Sequence, residues 1–213
     1  MAGLLIVGAG GHGKVVAEAA AATGRWSALA FLDDRYPDLA SVNGLAVRGA
    51  LADAPSLRGE FSDAAVAIGH CRTRLRVLND LRRWGFALPV VVHPTAWVSP
   101  SATLGEGTVV FAQVAIQACA RLGAGCIANT GCSIDHDAAL GDGVHVCPGA
   151  RLAGEVTVGD ATWLGIGSSV IQRVRVGADV TVGAGAAVVR ALPDGVTAVG
   201  VPARVIAQKP LGD

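Results

Sequence analysis

Val98-Ser99-Pro100-Ser101-Ala102-Thr103-Leu104-Gly105-Glu106-Gly107-Thr108-Val109-Val110 opens a stretch, residues 98–188, in which an aliphatic residue returns at every sixth position. The series runs from Val98, Leu104 and Val110 through Ile134, Val146 and Leu164 to Val188, with Ala128 its weakest member. A second register four residues later, from Ala102 and Thr108 to Ala186 and Leu192, is small or apolar and never charged. A helix repeats near 3.6 residues and a half-buried strand at 2, so neither explains a period of six. Short strands that turn a corner every six residues explain it, closing a three-sided coil in eighteen. Glycine follows the inward residue at Gly105, Gly123, Gly141, Gly159 and Gly177, one coil apart. These positions are expected to be corners, where glycine tolerates positive φ and close approach of the next coil. The expectation is a parallel β-helix of about five coils.

The rest of the 213 residues bounds the function. Hydrophobic residues make up 52% of the chain, yet no apolar run approaches the ~18–20 residues that span a bilayer. Met1 to Gly13 lacks the cationic start and long apolar core of a secretory signal, so the expected compartment is the cytoplasm. Seventeen basic residues balance seventeen acidic ones, which gives no basic surplus for nucleic acid or an anionic membrane. Cys71, Cys119, Cys126, Cys132 and Cys147 show no CxxC and no zinc spacing. Cys126 and Cys132 fall in the inward register and read as small core residues.

Ahead of the repeats, Leu4-Leu5-Ile6-Val7 ends in Gly8-Ala9-Gly10-Gly11-His12-Gly13, and Lys14 to Thr23 reads as a helix. Strand, glycine turn and helix match G-x-G-x-x-G, which brings backbone N–H groups toward a phosphate. A second strand, Ala28 to Leu32, ends in Asp33-Asp34, where a dinucleotide fold places its ribose-binding acid. Alone this suggests NAD, but the segment is too short for two mononucleotide-binding halves. Val42-Asn43-Gly44-Leu45 reads as a turn, Ala64 to Gly69 as a buried strand, and Leu75 to Trp84 as a helix. Arg72, Arg74, Arg76, Arg82 and Arg83 on or near that helix read as a solvated face. The expected domains are residues 1–92, a small Rossmann-like α/β unit, and 93–213, the β-helix with a C-terminal cap beginning near Gly200-Val201-Pro202-Ala203.

Gly10-Gly11-His12-Gly13-Lys14-Val15-Val16, Phe31-Leu32-Asp33-Asp34, His93-Pro94, Asp135-His136-Asp137, His145 and Gly200-Val201-Pro202-Ala203 together resemble the nucleotide-4-aminosugar N-acetyltransferases of the left-handed β-helix, hexapeptide-repeat class. The chain is most similar to those that acetylate UDP-4-amino-4,6-dideoxy-N-acetylglucosamine on the way to UDP-diacetylbacillosamine. Related members acetylate GDP-perosamine or O-acetylate sialic acid. The resemblance implies left-handed coils, a homotrimer with sites between neighbouring β-helices, and acetyl-CoA as co-substrate without a metal. It implies nucleotide-sugar contacts at Gly10, Gly11, His12, Asp33, Asp34 and Gly69. It puts acetyl-CoA at His145, Ile166 and Ala184, the last a glycine in some relatives, where contact through backbone leaves the change harmless. His136 is implied as general base, with Asp137, a glutamate in some relatives, raising its basicity.

Acetyl transfer to an amine requires proton removal and stabilisation of an oxyanion. An imidazole with pKa ~6.5 suits the first, and Gly154 is a candidate backbone donor for the second. Direct attack of the amine on the thioester is the expected route, with an acyl-enzyme on Cys132 or Cys147 as the alternative. Read without the resemblance, His136-Asp137 could be an exposed polar corner and His145 a solvent-facing histidine. Three further readings stay open: a zinc enzyme of the carbonic anhydrase type, a sugar O-acetyltransferase, and a scaffold β-helix without chemistry. Arg173, Arg175, Arg190, Arg204 and Lys209 are equivalent candidates for the 3′-phosphate of coenzyme A.

Overall fold

In the computed structural model, which describes residues 3–208, the chain divides after Pro94 into two units. Lys209 lies outside the described residues. In the first unit β1 (Gly3–Val7) is buried along its whole length and pairs in parallel with β2 (Ala28–Leu32) and β5 (Asp63–Val66), giving the order β2-β1-β5. Between them, β3 (Ser41–Val42) and β4 (Leu45–Ala46) form a hairpin whose two turn residues, Asn43 and Gly44, both have positive φ, as a type I′ turn demands. Three parallel strands make a single mononucleotide-type half.

Helix α1 (Gly11–Ala22) begins three residues earlier than its sequence suggested, with Gly13 inside the first turn. A Cβ on Gly13 would overlap the carbonyl of Gly8, so glycine is needed for the helix to pack against the turn it leaves. Helix α2 (Cys71–Arg83) also starts early, because His70 caps it by accepting the Thr73 N–H through Nδ1. Val77, Leu78 and Leu81 of α2 pack with Leu5, Val66 and Phe86 in one apolar core.

One arginine corrects the reading of α2 as a solvated basic face. Arg72, Arg76, Arg82 and Arg83 line an open outer hollow, but Arg74 is 1% exposed. Its Nη1 donates to the carbonyls of Ile68 and Gly69, both at 2.8 Å. A buried guanidinium is tolerated only when its donors are met in this way.

The second unit is a solenoid of two-residue strands recurring every six residues. The first face carries six of them, from Trp97–Val98 through Ser133–Ile134 to Ala187–Val188; the second carries five, from Thr103–Leu104 to Arg175–Val176. The third holds Val109–Val110, Ile127–Ala128, His145–Val146, Trp163–Leu164 and Thr181–Val182. Up to the last coil, each strand pairs in parallel with the strand eighteen residues on, as Ser133–Ile134 does with Arg151–Leu152. One face thus reaches six coils, one more than expected.

The corner chemistry differs from expectation in an instructive way. Positive φ falls three residues after every inward residue from Leu104 to Val182, at Gly107, Gln113, Cys119, Gly125, Gly131, Asp137 and onward to Gly185. The glycines directly after the inward residue have ordinary φ and serve close approach instead. A Cβ on Gly105 would overlap the backbone of Gly123 and Ala124 in the next coil, and one on Gly141 would overlap Asp160.

Val196–Val199 continues the third face in parallel with Thr181–Val182, and Arg204–Gln208 folds back on it antiparallel. Residues 200–203 close the last coil by exchanging backbone bonds with Ala187, which donates to Gly200 and accepts from Ala203. The inward Val182 and Val188 are thereby covered to 1% exposure. Among the described residues no helix is long and apolar enough to cross a membrane.

Candidate active site

His136 stands at the corner between the first and second faces, two residues after the inward Ile134. Asp137, next in sequence, occupies the positive-φ corner position at φ 59°. That backbone conformation turns its side chain back toward its neighbour, and Asp137 Oδ2 lies 2.9 Å from His136 Nδ1. The hydrogen bond to Asp137 raises the pKa of His136 above the ordinary imidazole value, with the charges of Asp137, Asp135 and Glu155 adding to it. Both side chains are more than half exposed.

Gly154 sits eighteen residues on, at the same corner one coil further. A Cβ there would collide with Nε2 and Cε1 of His136, so the imidazole rests directly on a glycine. The position two after each inward residue has another property: its N–H does not join the coil-to-coil ladder. At the corner between the second and third faces, aspartates take these N–H groups, Asp142 bonding Ala124 and Asp160 bonding Asp142. Among the described residues, the N–H groups of Gly154, Ile166 and Ala184 have no acceptor.

His145 is 6% exposed, which removes the solvent-facing reading. Its ring stacks on Trp163, centroids 5.0 Å apart, and its Nε2 is 3.1 Å from the Asn129 side-chain amide nitrogen. Trp163 is exactly one coil beyond His145 and was legible in the spacing, though the sequence reading passed over it. Ile166 and Ala184 stack at the corner between the third and first faces, where Gly185 donates to the Ile166 carbonyl at 2.8 Å. This corner and the His136 corner bound the two ends of the first face. Six residues of strand separate them, on the order of 15–20 Å, and a general base must come within about 3 Å of the proton it takes. One chain therefore does not bring His136 together with Ile166 and Ala184.

Cys132 and Cys147 are buried in the solenoid core. Burial pushes the Cys132 thiol up to about 12, the opposite of what a nucleophile needs. Among the described residues no group of three or more His, Cys, Asp or Glu could hold a metal ion.

In the first unit, Gly10 precedes α1 with no side-chain cap, and the first-turn N–H groups of a helix have no intrahelical acceptor. Gly10 and Gly11 are exposed. His12 is half-buried; desolvation, with the charge of Arg74 second, lowers its pKa to about 4, so it is neutral at physiological pH. Asp33 is more committed than its sequence position suggested: its Oδ2 accepts the Ala9 N–H at 2.8 Å, and both oxygens accept from Arg35. The Arg35 guanidinium holds this carboxyl well below the usual range. Asp34 accepts the Leu51 N–H at 3.1 Å. Both acids line a cleft of about 250 Å³ that Gly8, Ile68 and Arg76 also line. Gly69 is not among the residues that line it, and its carbonyl is bonded to Arg74.

Known proteins share this fold. The PglD N-terminal domain profile matches residues 3–81. The UDP-N-acetylbacillosamine N-acetyltransferase of Bacillus subtilis (strain 168) is 40% identical over 114 residues, a stretch that spans 53% of this chain and 52% of that protein. The acetyltransferase domain of PglB from Neisseria gonorrhoeae FA1090, solved with acetyl coenzyme A, is 45% identical over 96% of this chain and 98% of its own, with a TM-score of 0.93. PerB from Caulobacter crescentus, solved with CoA and GDP-perosamine, is also 45% identical, covering 97% of this chain and 98% of its own at a TM-score of 0.92. On this likeness over nearly its whole length, the chain belongs to the left-handed β-helix family of nucleotide-sugar N-acetyltransferases.

Proposed function

We propose that this chain transfers the acetyl group of acetyl-CoA to the 4-amino group of a UDP-linked 4-amino-4,6-dideoxy sugar, the step that forms UDP-diacetylbacillosamine. The observation that carries the chemistry is the exposed His136 imidazole, oriented through Nδ1 by Asp137 at 2.9 Å. The unprotonated amine attacks the thioester carbonyl carbon directly. As the C–N bond forms, His136 Nε2 takes the amine proton, and the negative charge gathers on the carbonyl oxygen. The Gly154 N–H, adjacent to the imidazole and without an acceptor, is the proposed donor to that oxyanion. The C–S bond then breaks, and the coenzyme A sulfur leaves with the proton that His136 held. The high pKa of the Cys132 thiol favours this route over an acyl-enzyme.

Acetyl-CoA is assigned to His145 and to the unpaired N–H groups of Ile166 and Ala184, a contact that needs no particular side chain at 184. The nucleotide sugar is assigned to Gly10, Gly11, His12, Asp33, Asp34 and Gly69. Because His136 and the Ile166 corner lie at opposite ends of one face, the complete site is proposed to form between neighbouring copies in a homotrimer. The cytoplasm, which supplies both co-substrates, is the proposed compartment.

GDP-perosamine is the second acceptor to consider, since the perosamine enzyme PerB is as similar over the whole chain as the PglB domain. Thioester consumption measured with acetyl-CoA and UDP-4-amino-4,6-dideoxy-N-acetylglucosamine, GDP-perosamine or sialic acid separates the readings. The UDP sugar is expected to turn over fastest, and His136→Ala to slow it by at least ~10²-fold. Turnover of sialic acid alone would replace N-acetylation by O-acetylation.

A further inference from the structure

The corner that carries His136 also holds an ion pair that the proposed acetyl transfer does not use. Asp137, Glu155 and Arg173 stand one coil apart, each in the left-handed backbone conformation, with φ of 59°, 61° and 62°. Their side chains therefore leave the solenoid in one column. Backbone bonds tie this column to the proposed base. The Glu155 N–H donates to the His136 carbonyl at 2.9 Å, and the Arg173 N–H donates at 3.1 Å to the carbonyl of Gly154, the glycine under the imidazole. Arg173 Nε then reaches back one coil and donates to Glu155 Oε1 at 3.0 Å.

As a source of stability such a pair is worth little, because its arginine and glutamate side chains are 75% and 46% exposed. Its place beside the base gives it another use. Asp135 and Asp137 flank His136 in sequence, and Glu155 adds a third carboxylate whose charge favours the protonated imidazole. Acids in this position act in two directions. They stabilise the imidazolium that forms during transfer, but they also keep the resting imidazole protonated, and a protonated base takes no proton.

A cation that offsets part of the negative charge restores the balance. The preceding coil offers none, since it presents Gln117, Ala118 and Cys119 at this corner. On the flanking faces, Arg151 is bonded to the Gly131 carbonyl, and Arg121 and Arg175 stand on the second face. Arg190 lies three coils from His136, about 14 Å at the usual strand spacing and beyond the ~8 Å screening length of physiological salt. Arg173 is the cation that reaches toward the base, through Glu155.

We infer that Glu155 and Arg173 are positioning residues for the proposed base: Glu155 adds a negative charge beside His136, and Arg173 fixes that carboxylate and offsets it. The inference rests on the reading of His136 as general base. It also sets Arg173 apart from the other cations weighed for the 3′-phosphate of coenzyme A.

Carbon-13 NMR titration of protein labelled at histidine Cε1 tests it, with the His136 signal assigned by its loss in His136→Ala. The His136 midpoint is expected to fall by roughly 0.3 pH unit in Glu155→Gln and to rise by a similar amount in Arg173→Gln, the effect of one exposed unit charge. The double variant, which loses both charges, is expected to return to the wild-type midpoint, and Arg173→Lys to keep it. The acid limb of kcat/KM, followed by thioester consumption, is expected to move in the same order, with the KM for acetyl-CoA within about twofold of wild type in Arg173→Gln. Unchanged circular dichroism establishes that the variants fold. A midpoint that stays put in either single variant, or moves the same way in both, overturns the inference alone, as does a tenfold or greater rise in the KM for acetyl-CoA in Arg173→Gln. Midpoints that shift while the acid limb stays fixed overturn the general-base reading with it.

Discussion

The imidazole of His136 rests on Gly154, so closely that a single methyl group at residue 154 would occupy the space of Nε2. The two residues are eighteen apart, one full coil, and the glycine makes room for the proposed base while leaving its own N–H beside it. Gly154→Ala is expected to displace an exposed, rotatable side chain rather than the coil. Its kcat should fall by about 10²-fold, the scale of a lost general base, while thermal stability and acetyl-CoA affinity stay near wild type. A variant with normal kcat would mean that His136 does not act from this position.

The bond from Asp137 to His136 sets a pH dependence. A general base works only when unprotonated, and its pKa is raised here, so kcat/KM should fall as pH drops through a value above the ordinary ~6.5. Asp137→Asn removes the charge and should move this acid limb down toward ~6.5 while lowering the plateau by about tenfold, as expected for a weaker base. The pH profiles of the two proteins decide it. An unmoved limb would assign the ionisation to another group.

Separation of the His136 corner from the Ile166 and Ala184 corner leads to a complementation test. His136→Ala and Ala184→Trp should each be inactive alone. If the site is shared, randomly mixed trimers contain intact sites wherever a neighbour supplies the missing half, up to roughly a quarter of the total in a closed symmetric ring. Co-expression and assay of the mixture should show this recovery. A site built within one chain gives none.

In the first unit, half-buried His12 couples folding to acid. Its pKa in the folded protein is about 4 against ~6.5 in the unfolded chain. The folded state thus resists protonation, and the stability associated with neutral His12 is complete above pH ~6.5 and lost progressively as pH falls toward 4. The loss is at most on the order of 3 kcal/mol. Urea unfolding at pH 7 and pH 4 should show a larger acid penalty for the wild type than for His12→Asn, which cannot titrate. Equal penalties would place His12 in contact with water.

Much of the solenoid was legible because its information is local and repeated. Every inward aliphatic marks its own strand, and the period alone gives the three faces and the parallel pairing at eighteen residues. The pairing of His136 with Asp137 was legible for the same reason, since adjacent residues at a corner need no distant partner. Even Gly154 beneath His136 and Trp163 against His145 follow from adding eighteen, once the coil is known.

Where the reading failed, the deciding contacts were long-range or set by direction. Arg74 sits among exposed arginines in α2, and nothing in its neighbours reveals that it turns inward to the carbonyls of Ile68 and Gly69. Asp33 ends its strand where a ribose-binding acid belongs, yet Ala9, twenty-four residues away, and Arg35 claim its oxygens. The glycines after the inward residues were recognised, but their purpose lies in the next coil's backbone rather than in their own φ. The sequence by itself determined the repeat, the corner carrying His136-Asp137 and the mononucleotide-type unit. Only the tertiary structure decided which polar groups remain uncommitted, because a donor or acceptor is used up by partners that folding brings from elsewhere in the chain.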